Sequence, residues 1–144
     1  MREYKVTKWN GEDLMPLADQ WARECGIDDY APDVALSDSR AMSEGENSDV
    51  FVLVTPEGRV VGGMGIGVQD MFYTRDFYSG VRYWYIEPGY RSMALKLIAK
   101  ARRWSIEKGC TKLMLCSNRL CSPSDKFLKA LQFKEYETVY IRNV

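Results

Sequence analysis

Histidine is absent from this chain of 144 residues. That absence excludes the Ser-His and Cys-His pairs of nucleophilic catalysis and every zinc site that needs an imidazole ligand. No apolar run approaches the roughly 18 residues that a membrane span requires. The 20 basic and 20 acidic residues balance, so net charge gives no reason to expect nucleic acid or a membrane surface as a partner.

Cysteine is scarce, and no two cysteines form a C-x-x-C pair, which argues against a metal ribbon or a redox dithiol. We therefore predict free, partly buried thiols in a reducing compartment. Residues 1–9 alternate charged and apolar side chains, which is unlike a signal peptide. The expected location is the cytoplasm. The cysteines are Cys25, Cys110, Cys116 and Cys121.

The length predicts a single domain spanning residues 1–144. Charge is uneven along it. Residues 11–57 hold twelve acidic and two basic side chains, whereas residues 89–112 hold seven basic and one acidic. Such asymmetry fits either a local anionic ligand or a solvated helix face, and charge alone leaves both open.

Apolar periodicity and turn residues predict alternating strands and helices. Predicted strands are Tyr4–Trp9, Val50–Thr55, Arg59–Gln69, Val81–Glu87, Thr111–Ser117 and Lys134–Arg142. Predicted helices are one capped by Asp13 and ending near Cys25, then Pro32–Gly45, Ser92–Lys108 and Ser122–Leu131, the last capped by Ser122. The aromatic-rich segment Asp70–Gly80 is predicted to be a loop, which either lines an acceptor site or packs on itself.

These elements predict a mixed α/β fold with a central, largely antiparallel sheet flanked by helices. Val81–Glu87 and Thr111–Ser117 should be parallel, because a helix crosses between them. The glycine run at residues 62–67 is similar to a dinucleotide-binding motif. Such a motif must end a strand and begin a helix, and no helical pattern follows the run here. We interpret it as a glycine-rich strand with a bulge or a close backbone approach.

The segment Val81–Ile98 holds the features that predict a ligand site. It reads as a strand, a Pro88-Gly89 turn and an amphipathic helix. The start of such a helix offers free backbone N–H groups and the positive end of the helix dipole. A phosphate or pyrophosphate would be favoured there, and Arg91 and Lys96 could add charge.

This junction resembles the central motif of the GNAT superfamily, the Gcn5-related N-acetyltransferases, and the order of elements is similar as well. The resemblance rests on Ile86, Pro88, Tyr90, Arg91, Gly109, Phe127, Leu131 and Phe133. It implies transfer of an acetyl group from acetyl-CoA to a primary amine of a small molecule or protein. The amine would attack directly, with neither a covalent enzyme species nor a metal.

The resemblance also implies where coenzyme A would bind. Strands Val81–Glu87 and Thr111–Ser117 should splay and open a slot for the pantetheine arm, whose amides would pair with backbone near Tyr85 and Ile86. Backbone amides of one loop would hold the pyrophosphate. That loop is Arg91, Ser92, Met93, Ala94, Leu95 and Lys96.

The chain departs from the family pattern at several positions. Ala94 and Lys96 stand where the family loop has glycine or another small residue. Tyr83 stands where many members carry a catalytic Glu, and Leu128 stands where many carry the Tyr that protonates the leaving thiolate.

Other side chains are therefore candidates for the chemistry. Alternation along the strand predicts Tyr83, Tyr85 and Glu87 on one face, with Trp84 and Ile86 on the other. Glu87 could act as a base through water, and either tyrosine could orient the amine or donate a proton. Ser124, Ser122 or Cys121 could reach the thioester sulfur. The structural alternative for the tyrosines is that they are half-buried strand aromatics.

Three further points concern function and partners. The missing Glu and Tyr also fit a GNAT-shaped binding or structural protein without turnover. Nucleic-acid binding through Lys96, Lys100 and Arg103 is disfavoured. A single basic helix face next to the acidic N-terminal part of the chain would bind the phosphate backbone of a nucleic acid poorly. Family members often dimerise, which leaves a homodimer open, although nothing in the sequence specifies an interface.

Overall fold

The computed structural model describes residues 3–116, 125–137 and 139–144. The strands are β1 (Lys5–Lys8), β2 (Ser48–Val54), β3 (Val60–Asp70), β4 (Phe77–Ile86) and β5 (Lys112–Leu115). The helices are α1 (Met15–Cys25), α2 (Pro32–Glu44), α3 (Ala94–Glu107) and α4 (Asp125–Ala130), with a short 3₁₀ turn at Arg91–Met93.

The described strands form a five-stranded sheet in the order β1-β2-β3-β4-β5. Neighbours from β1 to β4 run antiparallel, while β4 and β5 run parallel. The predicted mixed, mostly antiparallel sheet is therefore confirmed. The parallel pair follows from α3, since parallel neighbours need a crossover connection between them.

Helices cover both faces of the sheet. One buried cluster joins α3 to the sheet through residues such as Met64, Ile66 and Leu97. A second cluster, which includes Trp9, Met42 and Val50, lies beneath α2 on the opposite face. The amphipathic helix predicted after the Pro88-Gly89 turn is confirmed, because the residues that form an apolar stripe along one face of α3 are buried: Ala94, Leu97, Ile98, Ala101 and Trp104.

The N-terminus of α1 differs slightly from its prediction. The helix begins at Met15, with Leu14 in the N-cap position. Asp13 lies one residue earlier and accepts a hydrogen bond from the Met15 amide at 3.0 Å. Asp13 therefore still satisfies one of the first free amides of the helix.

The predicted loop Asp70–Gly80 is partly wrong. Strand β3 extends to Asp70 and β4 begins at Phe77, so only residues 71–76 connect them. Tyr78 and Ser79 pair with β3 on one side and with β5 on the other. Two neighbouring strands supply backbone partners here, and these long-range pairings override the local signal of polar residues and glycine.

The predicted C-terminal strand Lys134–Arg142 is also wrong. Residues 133–137 and 139–144 hold no strand, and Val139, Tyr140 and Ile141 are 82%, 90% and 97% exposed. Strand propensity reflects packing against neighbours, and no described strand pairs with this segment. High propensity alone therefore does not make it a strand.

The cysteine prediction holds in part. Cys110 and Cys116 are free thiols, as predicted. The prediction is wrong for Cys25, which is disulfide-bonded. It is buried at the end of α1, where the fold supplies a partner that spacing along the chain does not reveal.

Some predictions lie outside the described residues: those on Ser117, Cys121, Ser122 and Ser124. Within the described ranges, no helix has both the length and the apolar character to span a bilayer.

Candidate functional site

Among the described residues, the pairing of β4 with β5 covers only the first part of β4. It runs from Tyr78–Lys112 to Val81–Leu115, whereas β4 continues to Ile86. The indole Nε1 of Trp84 donates to the Cys116 carbonyl at 2.9 Å. Residues 117–124 lie outside the described residues, so the predicted splay, which would begin here, stays a prediction.

A bulge in β4 follows the last described pair with β5. Gly65 pairs with Tyr83 and Ile66 pairs with Val81, so Arg82 is the extra residue. Gly65 also leaves room for the Tyr83 ring, because a Cβ there would lie 2.9 Å from its Cζ atom. The glycine run is thus a strand, as predicted, but the bulge beside Gly65 lies in β4 opposite it and the close approach at Gly65 is by a side chain rather than by backbone.

Tyr83 and Tyr85 project toward the helices α1 and α2. The Tyr83 hydroxyl lies 3.1 Å from Ser39 Oγ of α2. The Tyr85 hydroxyl donates to Glu24 Oε2 of α1 at 2.5 Å. Trp84 and Ile86 instead belong to the cluster on the α3 side, so the predicted alternation holds for these four strand residues.

Both phenols are held in the protonated form. Burial raises the pKa of Tyr83, although the contact with Ser39 acts in the opposite direction. Burial and the hydrogen bond to Glu24 raise the pKa of Tyr85 to about 12. At neutral pH both side chains are therefore neutral hydrogen-bonding groups rather than bases.

Glu24 connects this face of β4 to the start of α3. Its second oxygen, Oε1, accepts a hydrogen bond from Nη2 of Arg91. The Arg91 guanidinium lies 5.8 Å from the centre of the Tyr85 ring, and its Nε donates to the Ile86 carbonyl at 3.1 Å. Partial burial raises the pKa of Glu24, but the hydrogen bonds from Tyr85 and Arg91 outweigh it and the net pKa is lowered.

Sequence reasoning missed Glu24. It lies 61 residues from Tyr85 and 67 from Arg91 along the chain. No local motif marks it among the acidic residues of 11–57. Only the packing of α1 on the sheet brings it to the site.

The junction between β4 and α3 has the predicted form. Gly89 adopts a φ of +92°, and the Tyr90 amide donates to the Glu87 carbonyl at 3.0 Å. Neither Tyr90 nor Met93 provides a side-chain cap to the helical turns that follow, and the first turn of α3 holds no acidic residue. The positive end of α3 therefore lacks a local counter-charge.

The six residues of the implied phosphate loop differ in exposure. Arg91, Ser92, Leu95 and Lys96 are exposed, Met93 is half-buried and Ala94 is buried. The amides of Met93 and Ala94 donate to the carbonyls of Tyr90 and Arg91. Because Ala94 directs its methyl group into the core cluster, its replacement of the family glycine places no side chain on the solvent side of the loop.

Glu87 forms an ion pair at the end of β4. Arg59 Nη1 donates to both Glu87 carboxylate oxygens at 3.0 and 2.9 Å, and Arg59 Nη2 donates to the Tyr90 hydroxyl at 2.9 Å. The strand ends at Ile86, although the Glu87 amide still donates to the Val61 carbonyl at 2.9 Å, so the placement of Glu87 on the face of Tyr83 and Tyr85 stays a prediction. Leu128, at the family tyrosine position, is buried in α4.

Comparison with solved structures places the fold among acetyltransferases. An acetyltransferase of Trypanosoma brucei is 23% identical, with a TM-score of 0.70 over 99% of this chain and 100% of the other. The aminoglycoside N-acetyltransferase AAC(6')-Iy in complex with CoA is 19% identical, with a TM-score of 0.75 over 99% and 95%. For the aminoglycoside 6'-N-acetyltransferase AAC(6')-Ih of Acinetobacter baumannii the values are 16% and 0.67, over 98% of each chain.

No curated protein matches the sequence. Residues 12–133, however, match the Acetyltransferase (GNAT) family. That range begins just before α1 and ends after α4, and it includes β4, β5 and the β4–α3 junction. The chain therefore belongs to the GNAT family of acetyltransferases.

Proposed function

We propose that this protein transfers the acetyl group of acetyl-CoA to the primary amine of a cationic small molecule. One observation carries the proposal. The edge of β4 at residues 82–86, which has no strand partner on the β5 side among the described residues, precedes the start of α3, which has no side-chain cap and exposes Arg91 and Lys96. That arrangement offers backbone partners for the amide groups of pantetheine and positive charge for a pyrophosphate.

The donor would lie along the predicted splay. Its pantetheine amides would pair with backbone groups of Tyr85 and Ile86. Its pyrophosphate would bind at residues 91–96, where the exposed Ser92, Leu95 and Lys96 face solvent. The Ile86 carbonyl now accepts from Arg91 Nε, so binding would exchange that bond for one to the donor.

The acceptor would approach from the side of α1 and α2, where Tyr83 and Tyr85 lie. The free amine would attack the thioester carbonyl, the carbon–sulfur bond of the tetrahedral intermediate would break, and the proton lost by the nitrogen would pass, directly or through water, to the departing coenzyme thiolate. Holding the two reactants together accounts for much of the rate in such a reaction. Either phenol would orient the amine, since both stay protonated at neutral pH.

Two further catalytic assignments remain predictions. Glu87 would act as a base through water only after its ion pair with Arg59 opens. Ser124, the candidate near the thioester sulfur, lies outside the described residues.

The acceptor class is supported by two observations. Residues 11–57 carry twelve acidic and two basic side chains, and they include α1 and α2, the helices that contact Tyr83 and Tyr85. Among the structural neighbours, AAC(6')-Iy is described with a bisubstrate analogue of CoA and monomethyl-acetylneamine, and another aminoglycoside acetyltransferase is described with sisomicin. Such acceptors carry several amines.

The test has two stages. Calorimetry measures acetyl-CoA binding, and no detectable binding at millimolar ligand overturns the proposal. Release of free thiol is then followed with a panel of amines: an aminoglycoside, a polyamine and a lysine-containing peptide. Binding without turnover on any of them would favour the alternative of a GNAT-fold binding protein, which the neighbouring acetyltransferases do not favour.

We also propose that the protein forms a homodimer. Its support is the apolar C-terminal segment, in which Val139, Tyr140 and Ile141 are largely exposed, together with the place of β5 at the edge of the sheet that the described strands form. The segment of one copy would add to β5 of a second copy, since an edge strand presents unpaired backbone groups. Light scattering after gel filtration should report twice the chain mass, and Ile141→Asp should reduce it to one chain. A wild-type monomer throughout the micromolar range contradicts the dimer.

A further inference from the structure

Glu24 binds one cation and one phenol at the boundary between the two halves of the proposed site. One carboxylate oxygen accepts from Tyr85, on the acceptor side. The other accepts from Arg91, which begins the proposed phosphate loop. Among the described residues, the Glu24 side chain is thus hydrogen-bonded to both the acceptor side and the donor side of the proposed site.

Arg91 has two partners within the protein in this arrangement. Its Nη2 bonds to Glu24 and its Nε bonds to the Ile86 carbonyl. Both groups that the proposed donor site needs, the Arg91 guanidinium and the Ile86 carbonyl, therefore have internal partners. A diphosphate that is to accept two hydrogen bonds from the Nη2 edge of the guanidinium would compete with Glu24 for that edge.

The ion pair is weak enough to be displaced. The side chains of Arg91 and Glu24 are 44% and 25% exposed, and partly solvated ion pairs of this kind contribute little to stability. A pyrophosphate carries more negative charge than a carboxylate and can accept two hydrogen bonds from one guanidinium. Electrostatics therefore favour transfer of Arg91 from Glu24 to a bound diphosphate.

That transfer would leave Glu24 without its cation. The carboxylate would keep its hydrogen bond from Tyr85 but would be partly buried and uncompensated, which is unfavourable. An ammonium group next to Tyr85 would restore the balance. Glu24 would thereby hold the cationic acceptor beside the phenol that the proposed function assigns to amine orientation.

We propose that Glu24 exchanges cationic partners during the reaction, binding Arg91 in the free protein and an ammonium group of the acceptor once the donor is bound. The proposal rests on the proposed acetyl transfer and adds a coupling between its two substrates: each ligand raises the affinity for the other by the same factor. Glu24 is a positioning residue in this scheme, and the acyl-transfer step itself is unchanged.

The decisive variant is Glu24→Gln, which keeps the side-chain shape and removes the charge. Calorimetry with coenzyme A should show about two- to fivefold tighter binding, because Arg91 is no longer held by an anion. In an Arg91→Ala background the same substitution should leave coenzyme A affinity unchanged, since the effect acts through Arg91. Equal or weaker binding of coenzyme A by Glu24→Gln overturns the exchange.

The second part of the test concerns acceptor binding and uses the amine in the panel that is acetylated fastest. Glu24→Gln should raise the KM for that amine by about tenfold or more, as expected for losing a charged hydrogen bond. It should leave kcat nearly unchanged, and coenzyme A should no longer increase amine affinity. A drop in kcat at constant KM would contradict a positioning role.

Asp49→Asn is the matched control, because Asp49 forms an ion pair with Lys8 at 3.4 Å between β1 and β2. It should change neither coenzyme nor amine affinity. Thermal melts of both variants identify a general loss of folding.

If no amine is acetylated, the proposed function fails and the acceptor half of the exchange fails with it. If turnover is intact and Glu24→Gln changes neither affinity, only the exchange fails.

Discussion

Three charged or phenolic side chains define this site at the residue scale. Glu24 comes from α1, Tyr85 from β4 and Arg91 from the turn before α3, and hydrogen bonds join them. Each is ordinary on its own. Together they place an anion, a neutral donor and a cation around the point where the proposed donor and acceptor would meet.

Arg91→Ala should weaken binding of coenzyme A about ten- to a hundredfold, as expected for losing a charge-assisted hydrogen bond to a phosphate. Calorimetry measures the change. Arg103→Ala is the matched control, because Arg103 is also exposed on α3 but lies away from the loop. Equal affinities for wild type and Arg91→Ala would show that the pyrophosphate binds elsewhere.

The contacts of Glu24 should also make stability depend on pH. The pKa of this carboxyl is lowered in the folded protein, so its contribution is present above its ordinary pKa and is lost as pH falls through the lower, folded value. Urea unfolding of wild type and Glu24→Gln across pH 7 to pH 3 tests this. We expect the gap between their unfolding free energies to shrink on acidification, whereas a constant gap contradicts the lowered pKa.

At the scale of elements, β4 matters most. It pairs with β3 along its whole length and, among the described residues, with β5 from Tyr78 to Val81. The bulge at Arg82 follows the last of these described pairs. One strand thus contributes to the core through Trp84 and Ile86 and to the opposite face through Tyr83 and Tyr85.

Gly65→Ala should destabilise the fold by about 1–3 kcal/mol, the usual cost of overpacking. The added methyl would overlap the rigid Tyr83 ring. Gly63→Ala is the control in the same strand, because its Cβ would meet Leu17 at an ordinary 3.6 Å. Urea denaturation measures both, and equal losses of stability would contradict the close approach at Gly65.

At the scale of the whole molecule, α3 and the helix pair α1–α2 enclose the sheet from opposite sides. The proposed donor loop begins α3, while Glu24 and Ser39 belong to the other layer. A ligand that contacts both the loop and α1 would bind to residues of both helix layers at once. It would therefore stabilise the fold by mass action.

Coenzyme A at a hundredfold excess over its Kd should add about 2.7 kcal/mol to the free energy of unfolding. Differential scanning calorimetry should show this as a rise in Tm. Arg91→Ala should show a smaller rise at the same ligand concentration. A Tm that does not change with coenzyme A would contradict binding to the folded state.

The amino-acid sequence by itself determined the features that depend on neighbours along the chain. The stripe of α3 and the strand, Pro-Gly turn and helix of the junction follow from local periodicity and backbone preference. The missing histidine limits the chemistry of the chain whatever fold it adopts, because no packing can supply an imidazole.

The tertiary structure alone decided the partners that lie far apart in sequence. It brought Glu24 to Tyr85 and Arg91, paired Glu87 with Arg59 and left the C-terminal segment outside the sheet. These depend on strand register and helix packing, which set distances between side chains that local preference does not specify.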